Sequence, residues 1–394
     1  MRILFSICSL LFLTAFTALA DSDVIKLVSS FPRTGSSNAQ TSSLVNGIRL
    51  AIEEAGNKVG NFKIELLDWD DASPERGNWD PALEAQNADK AVKDPDVMAY
   101  IGPYNSGAAK ISMPKLNQAG LVQISPAATW PGLTKPGTGE PNEPRIYQPT
   151  GKPSFFRVVP ADDIQGQVAA KWSVELGAKR VFLTHDGELY GKGIASVYKK
   201  TAPTVGLNIV GIEQIDPKAS NYRSLATKIR QTNPDLVFFG GLTQTNAGQF
   251  VKDLRSSGYL GKVMVPDGCF ETAFIESAGA TNLEGNTFIT FGGLPGSQLT
   301  GRGKTFYENY KKRFNAEPEA YAVYGYEAGK VALTAITRAG KKDRAEILKA
   351  VSETANVGGA LGDWSFDKNG DTSLVVMSGN TVKGGKFEFV KILG

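Results

Sequence analysis

The chain has few of the side chains that enzymes commonly use for catalysis. It contains one histidine, His185, and two cysteines, Cys8 and Cys269. A zinc cluster or a cysteine–histidine pair needs more of these groups. Neither the G-x-S-x-G nucleophile pattern nor the phosphate-binding G-x-x-x-x-G-K-[ST] pattern occurs. We therefore expect no catalytic residue, no metal and no cofactor, and a secreted α/β enzyme remains only the weaker alternative.

Strong charge of one sign and long apolar runs are also missing from most of the chain. The 43 Lys and Arg residues nearly balance the 40 Asp and Glu residues, for a net charge of +3. This balance gives no reason to expect nucleic acid or an acidic membrane as a partner. Beyond residue 20 no apolar run is long enough to span a bilayer. A length of 394 residues favours two domains over one.

The first 20 residues differ from the rest of the chain. They contain one basic residue, a long apolar run and Ala18-Leu19-Ala20 before Asp21. This pattern predicts a secretory signal peptide that is cleaved after Ala20, and hence an exported protein. The mature chain would retain a single cysteine, Cys269, so we expect no intramolecular disulfide.

The remainder alternates between apolar strand patterns and amphipathic helix patterns. Strands are predicted at 24–29, 62–69 and 97–101, and the same alternation restarts near residue 155 after a Pro- and Gly-rich surface loop at 130–154. Alternation of this kind predicts parallel sheets covered by helices. We expect one lobe from residues 21–157 and 292–362, and a second from 158–291 and 363–394, the latter including a strand at 373–377.

Residues 97–129 are the most informative stretch. A buried strand, 97–101, leads into a helix at 108–118 with Ser106 as the expected N-cap, and a second strand precedes Ala127-Ala128-Thr129. Ligands bind beyond the carboxyl ends of the strands in open α/β sheets. The helix N-terminus and the hydroxyls of Ser106 and Thr129 suit a carboxylate. The alternative is that Ser106 only caps its helix and Thr129 only closes a turn.

Polar and bulky residues also follow strands in the second half of the chain. Tyr190 follows the strand that ends near His185, Leu242 follows Gly240-Gly241, and Asp267 follows the strand at 262–265. A carboxylate here, opposite donors in the first half, would hold the two poles of a zwitterion. Taken alone, Asp267 is better explained as a turn residue, and only the coincidence of several strand-end loops favours a site.

Several short segments carry a resemblance to a known family. They are residues 124–129 (ISPAAT), 187–193 (GELYGKG), 239–241 (FGG), 266–268 (PDG) and 364–371. On these segments the chain resembles the leucine/isoleucine/valine-binding proteins, the periplasmic receptors of branched-chain amino acid ABC transporters. The resemblance implies a type I periplasmic binding protein fold: two doubly wound α/β parallel-sheet lobes, joined by three crossover segments near 157–160, 291–293 and 363–367. It further implies ligand capture in the interlobe cleft by hinge closure.

The resemblance also implies roles for particular residues. Ser106, Thr129 and the Ala127 backbone would bind the amino acid's α-carboxylate and α-ammonium, Asp267 would take the place of the family's usual glutamate, and Tyr190 would close over the ligand. The complete set of expected ligand-binding residues is Asn105, Ser106, Ala127, Ala128, Thr129, Tyr190, Leu242 and Asp267.

The chain departs from the family at several positions. The family's better-known members join by a disulfide the loops that here hold Ser73 and Asn105, and Leu242 stands where an aromatic ring often contacts the ligand. We expect a monomer that binds a neutral, most simply branched-chain, amino acid and delivers it to a membrane permease. The alternatives are another small solute, such as urea, an amide or an aromatic carboxylate, or a sensory role.

Overall fold

The computed structural model describes residues 23–394, so the predicted signal peptide, residues 1–20, lies outside the described residues. The strands are β1 (Val24–Phe31), β2 (Lys58–Val59), β3 (Phe62–Asp70), β4 (Ala72–Ser73), β5 (Asn78–Trp79), β6 (Val97–Ile101), β7 (Val122–Ser125), β8 (Phe155–Arg157), β9 (Arg180–His185), β10 (Asn208–Gln214), β11 (Leu236–Gly240), β12 (Lys262–Val265), β13 (Thr287–Gly292), β14 (Val357–Gly359), β15 (Gly362–Trp364), β16 (Met377–Lys383) and β17 (Lys386–Leu393). The α-helices are α1 (Asn38–Glu54), α2 (Pro81–Lys93), α3 (Ser106–Gln118), α4 (Asp162–Glu175), α5 (Leu189–Thr201), α6 (Arg223–Gln231), α7 (Ala247–Ser256), α8 (Thr272–Ala278), α9 (Ala280–Leu283), α10 (Gly301–Phe314), α11 (Ala322–Ala339) and α12 (Arg344–Ser352).

The first lobe is built on a six-stranded sheet of order β2-β3-β1-β6-β7-β8. All neighbours in it are parallel except β2 and β3, which pair antiparallel. Its central strand β6 is buried along its whole length, as expected for a parallel strand covered by helices on both faces. Because the strands run in one direction, the loops after β6 and β7 meet at one edge of the sheet.

The second lobe is built on a seven-stranded sheet of order β10-β9-β11-β12-β13-β16-β17. The first five strands are parallel, and β16 and β17 add an antiparallel edge. The strand predicted at 373–377 was wrong: β16 begins at Met377, and the preceding residues belong to an irregular segment. The apolar sequence of that segment is typical of a strand, but its residues before Met377 do not pair with a neighbouring strand of the sheet.

The chain passes between the lobes three times. Residues 158–161 connect β8 to α4, residues 293–300 connect β13 to α10, and residues 365–376 connect β15 to β16. The late helices return to the first lobe, where the Arg344 guanidinium of α12 donates to the Val97 carbonyl of β6 at 3.0 Å. The result is two α/β lobes joined by three crossovers, as the sequence predicts.

Helices α1 and α11 approach closely because glycine stands at their contact points. A Cβ atom added to Gly325 would lie 2.1 Å from the Leu44 carbonyl oxygen, and one added to Gly47 would lie 2.1 Å from the Ala322 carbonyl oxygen. Both separations are far below van der Waals contact, so any larger residue must push the helices apart. The apolar residues around this contact belong to the main hydrophobic core.

We expect Gly325→Ala to lower the free energy of unfolding by about 1–3 kcal/mol, because the overpacking outweighs the better helix propensity of alanine. Gly329→Ala on the same helix is the matched control, since its Cβ would lie 3.0 Å from the Ala51 methyl group and 3.5 Å from the Ile48 backbone, with no closer contact. Urea denaturation of both variants measures the difference. Equal stabilities for the two variants would show that the helix contact is not tight.

No helix within residues 23–394 is long and apolar enough to cross a membrane.

Candidate functional site

The carboxyl-edge loops of both sheets face one another across a cleft. Five of the predicted residues line a small cavity there: Asn105, Ser106, Ala127, Tyr190 and Leu242. Three residues that the sequence did not indicate, Tyr104, Gly268 and Tyr321, complete its wall. The cavity measures about 20 Å³, which is room for roughly one water molecule. The lobes are therefore closed onto the site, and a ligand can enter only when they separate.

Ser106 contributes to the cavity in a way that differs from the prediction. It is the first residue of α3 rather than its N-cap; Asn105 occupies the cap position and makes no capping hydrogen bond with its side chain. The Ser106 Oγ instead accepts a hydrogen bond from the Trp130 backbone N–H at 3.2 Å. Its hydroxyl hydrogen remains available for donation into the cleft.

Asp267 is held by tyrosines from both lobes. Its Oδ1 accepts from the hydroxyl of Tyr190 in the second lobe, and its Oδ2 accepts from the hydroxyl of Tyr321 beside the first lobe at 2.5 Å. Burial raises the pKa of Asp267, and the two tyrosine hydrogen bonds act in the opposite direction. Each carboxylate oxygen can accept a second hydrogen bond, so the group can still bind an ammonium.

A second buried carboxylate, Asp162, lies beside the predicted site. It is the first residue of α4, and its backbone N–H donates to the Thr129 carbonyl at 3.0 Å. The Asp162 carboxylate and the Thr129 hydroxyl lie near one another, where the hydroxyl acts as a donor that lowers the pKa of Asp162, and neither group has another hydrogen-bond partner among the described residues. The pKa of Asp162 is raised well above its usual value by burial and, next, by the negative charge of Asp267. Two acids and a hydroxyl therefore stand together where an ammonium would be stabilised.

A third acid, Glu271, is buried at the N-cap position of α8. Its Oε1 accepts from the Gln244 side chain at 2.8 Å, while its Oε2 is unpaired within the described chain. Burial raises the pKa of Glu271 to about 8. The charge of Glu271 also acts on Tyr104, whose pKa is raised first by burial and then by Glu271 and Asp267. Glu271 is thus a buried acid near Tyr104 that keeps its proton at neutral pH, because burial raises its pKa.

The remaining predicted residue, Ala128, points away from the cavity. It packs in a cluster with Trp130 and Leu133, and its backbone N–H donates to Ser125 Oγ at 2.8 Å. Ala128 keeps the turn between Ala127 and Thr129 in place, and its contact with a ligand stays a prediction.

Sequence reasoning missed Asp162, Glu271, Tyr104 and Tyr321 for a common reason. Acids at helix starts are ordinary, and aromatic residues beside apolar strands and helices suggest core packing. Asp162 follows directly after a crossover segment, and that position was the available clue. Tyr321 comes from a helix far along the chain that folds back to the first lobe, so its place beside Asp267 depends on tertiary structure.

The loop predicted on the surface at 130–154 is in part an internal support for the site. Its Glu143 carboxylate is buried and accepts from the Trp130 indole N–H at 2.9 Å and the Tyr147 hydroxyl at 2.5 Å. The Lys110 ammonium lies 2.6 Å from the same carboxylate. The Trp130 ring packs over Gly193 of α5, where an added Cβ would lie 2.4 Å from the ring. The loop thus fixes a tryptophan between Ser106 and the second lobe.

A larger cavity of about 560 Å³ lies outside the cleft, among α10, α11 and β14. Its walls include Phe306, Tyr326 and Arg302. Within the described residues, no side chain that lines this larger cavity has a buried polar atom without a hydrogen-bond partner. Size alone does not distinguish a binding site from a surface hollow. The cleft is the better candidate because both lobes contribute polar groups to it.

The buried acids predict how stability depends on pH. The folded-state pKa of Glu271 is raised to about 8, and those of Glu84 and Asp186 to about 7, mainly by burial. A folded state that keeps protons which the unfolded chain has lost is most stable at low pH and loses that stability as pH rises through the folded pKa. The lowered pKa of His185 acts in the opposite sense, but it is one half-buried group.

We therefore expect the melting temperature of the ligand-free protein to fall by several degrees between about pH 5 and pH 8. Glu271→Gln should make this decline shallower, because the substitution removes the group with the highest of these raised values. Differential scanning calorimetry across the interval measures both slopes. A melting temperature that stays level or rises would contradict the burial of these acids in their protonated form.

The sequence profile of a family described as periplasmic binding protein matches residues 24–380. The Leu/Ile/Val-binding protein homolog 2 of Brucella abortus is 30% identical over 348 residues, which is 87% of this chain and 86% of that relative.

Two solved structures share the whole architecture. A leucine binding protein, LivK, from Thermotoga maritima superposes with a TM-score of 0.82 at 25% identity, covering 94% of this chain and 99% of that one. The branched-chain amino acid transporter substrate binding protein LivJ from Streptococcus pneumoniae, in complex with isoleucine, gives a TM-score of 0.80 at 26% identity, covering 93% and 99%. These relatives are substrate-binding proteins rather than enzymes.

Proposed function

Because the chain belongs to the periplasmic binding protein family, we propose that it is the substrate-binding protein of an ABC transporter and that it captures an amino acid between its two lobes. Hinge closure traps the ligand, and the closed complex delivers it to a membrane permease. The leader is removed after Ala20, and the mature protein acts in the periplasm as a monomer. The lobe boundaries given by the sequence, near residues 157, 291 and 362, mark the hinge.

One observation carries this proposal: hydroxyls and carboxylates from opposite lobes converge on a single cleft. Ser106 and the amino terminus of α3 offer donors for the α-carboxylate from the first lobe. Asp267 and Asp162 offer acceptors for the α-ammonium from the second lobe, with Thr129 beside them. Each pole of a zwitterion thus meets complementary groups, and binding both poles draws the lobes together.

The buried acids also argue against the alternatives. An aromatic carboxylate would bring a negative charge next to Asp162 and Asp267, whose pKa values burial already raises, and urea would offer neither acid a cation. An amino acid with an acidic side chain would add a further negative charge to the cleft. We therefore place amino acids with neutral or positively charged side chains ahead of other solutes.

A thermal-shift screen of the mature protein against the common amino acids tests the proposal. A ligand that binds only the folded state at a concentration of 100 times its Kd stabilises it by about 2.7 kcal/mol. We expect at least one amino acid to raise the melting temperature, whereas urea and benzoate leave it unchanged. Stabilisation by benzoate alone, or by none of these compounds, would contradict the proposed function.

A further inference from the structure

The side chain of Asn105 lies in the wall of the cleft cavity, and its oxygen has no hydrogen-bond partner. Asn105 occupies the N-cap position of α3, lines the cavity beside Ser106 and is only 6% exposed. An asparagine at this position ordinarily accepts a hydrogen bond from a backbone N–H in the first turn of its helix, but Asn105 makes no such bond. Its Oδ1 is buried and unpaired within residues 23–394. Helix capping therefore does not account for this side chain.

The two poles of an amino acid have complementary groups without Asn105. The Ser106 hydroxyl and the amino terminus of α3 can bind the α-carboxylate. Asp267 and Asp162 can accept from the α-ammonium, and the Tyr321 hydroxyl already donates to Asp267 at 2.5 Å. The Asn105 oxygen is an acceptor beyond those that the two poles need. The part of the ligand left to pair with it is the side chain.

The space beside Asn105 is narrow and enclosed by both lobes. The Tyr104 ring meets the Tyr321 ring edge to face, with centroids 5.5 Å apart. From the second lobe, Leu242 packs directly over Gly268, where an added Cβ would lie 2.4 Å from the leucine Cδ2. An aliphatic ligand side chain in this space would exclude water and leave the Asn105 oxygen unpaired. Burying an unpaired polar group opposes binding, so the cleft favours a short side chain that can donate a hydrogen bond.

We infer that the ligand is a neutral amino acid with a short polar side chain, a hydroxyl or a carboxamide, and that Asn105 selects it by a direct hydrogen bond. This inference rests on the proposed function and refines it, because the family resemblance alone implies a branched aliphatic side chain. Hydroxyl and carboxamide groups both donate to an oxygen such as Oδ1. The Asn105 amide carries no charge, and a buried charged side chain would need a counter-charge that an amide does not supply.

Two pairs of ligands of matched shape test the inference on the intact mature protein. L-threonine has the shape of L-valine, and L-asparagine has the shape of L-leucine, but the first member of each pair carries polar atoms where the second carries methyl groups. Isothermal titration calorimetry should give the polar member of at least one pair a Kd roughly 100-fold lower than that of its apolar partner. The pair that shows this preference distinguishes a hydroxyl ligand from a carboxamide ligand.

Asn105→Leu provides the second arm of the experiment. Leucine keeps the shape of the side chain and removes its polar atoms, so the preference for the polar ligand should shrink to roughly tenfold or less. Replacing an unpaired buried polar group by an apolar group of the same shape is also compatible with folding. Asn61→Leu is the control, because Asn61 is exposed in the turn between β2 and β3 and its substitution should leave the preference intact.

The outcomes separate the inference from the proposed function. If valine and leucine bind as tightly as their polar partners, the inference is wrong and the proposed function stands. If no α-amino acid binds, both fail. If Asn105→Leu weakens all four ligands by the same factor, Asn105 binds the part that all amino acids share, and the inference is overturned. A preference that persists unchanged in Asn105→Leu would equally overturn the role of Asn105.

Discussion

Asp267→Asn is expected to weaken binding of the cognate amino acid by about 2–4 kcal/mol, or roughly 30- to 1,000-fold in Kd. The asparagine keeps the shape of the side chain but loses the negative charge that pairs with the α-ammonium. It also cannot accept from both Tyr190 and Tyr321, which now bind one carboxylate oxygen each. The loss of charge and the loss of an acceptor for a tyrosine both weaken the contact between residue 267 and the α-ammonium. We therefore expect this substitution to raise the Kd more than any other single substitution in the cleft.

Isothermal titration of the variant and the parent gives the two Kd values. Asp163→Asn is the control, because its carboxylate pairs with Lys135 and is half-buried rather than enclosed. Thr129→Ala should weaken binding in the same direction, since the buried Thr129 hydroxyl lies beside the Asp162 carboxylate and has no other partner among the described residues. A Kd for Asp267→Asn that matches the parent would remove Asp267 from the site.

Arg157→Met is expected to lower the free energy of unfolding by about 3–5 kcal/mol, because it removes the cation 2.5 Å from the buried Asp371 carboxylate and leaves only Lys135 at 4.0 Å. Arg157 ends strand β8 immediately before the first crossover, and Asp371 lies in the third, so their ion pair joins two of the connections between the lobes. The guanidinium is fully buried and also binds the turn that presents Thr129. The variant should therefore lose both stability and ligand affinity.

Arg302→Met is the matched control for this prediction. Arg302 and Asp363 are 3.9 Å apart, and their side chains are 67% and 88% exposed, so the pair should contribute less than about 1 kcal/mol. Urea denaturation of both variants makes the comparison. If the two substitutions have the same small effect, the buried ion pair does not hold the crossovers.

Much of the fold could be predicted because its strands are apolar runs bounded by turn residues. The strand Val97–Ile101 and the helix Arg344–Ser352 begin and end where the sequence indicates. The strand predicted at 373–377 was wrong, because the sequence alone cannot distinguish an apolar segment that pairs with a neighbouring strand from one that does not. The loop at 130–154 was predicted on the surface because it is rich in proline and glycine. The buried Glu143 carboxylate accepts from Trp130 and holds part of this loop in the interior.

The sequence predicts those residues of the candidate site that directly follow a strand. Asn105, Ser106, Ala127, Tyr190 and Leu242 meet around one cavity because each follows a strand of a parallel sheet. Asp162 and Glu271 could not be found in this way. Both carboxylates stand out because they are buried and their pKa values are raised, which depends on tertiary packing and is invisible in the order of residues.

The central claim is that opposite lobes hold the opposite poles of a zwitterion. The most direct test takes the amino acid that binds best and compares it, by isothermal titration, with the amine that lacks its carboxylate and the acid that lacks its α-amino group. Each analogue should bind roughly 100-fold more weakly or worse, because each leaves one lobe's buried polar groups unpaired. If either analogue binds as tightly as the amino acid, the cleft does not recognise both poles, and the claim is refuted.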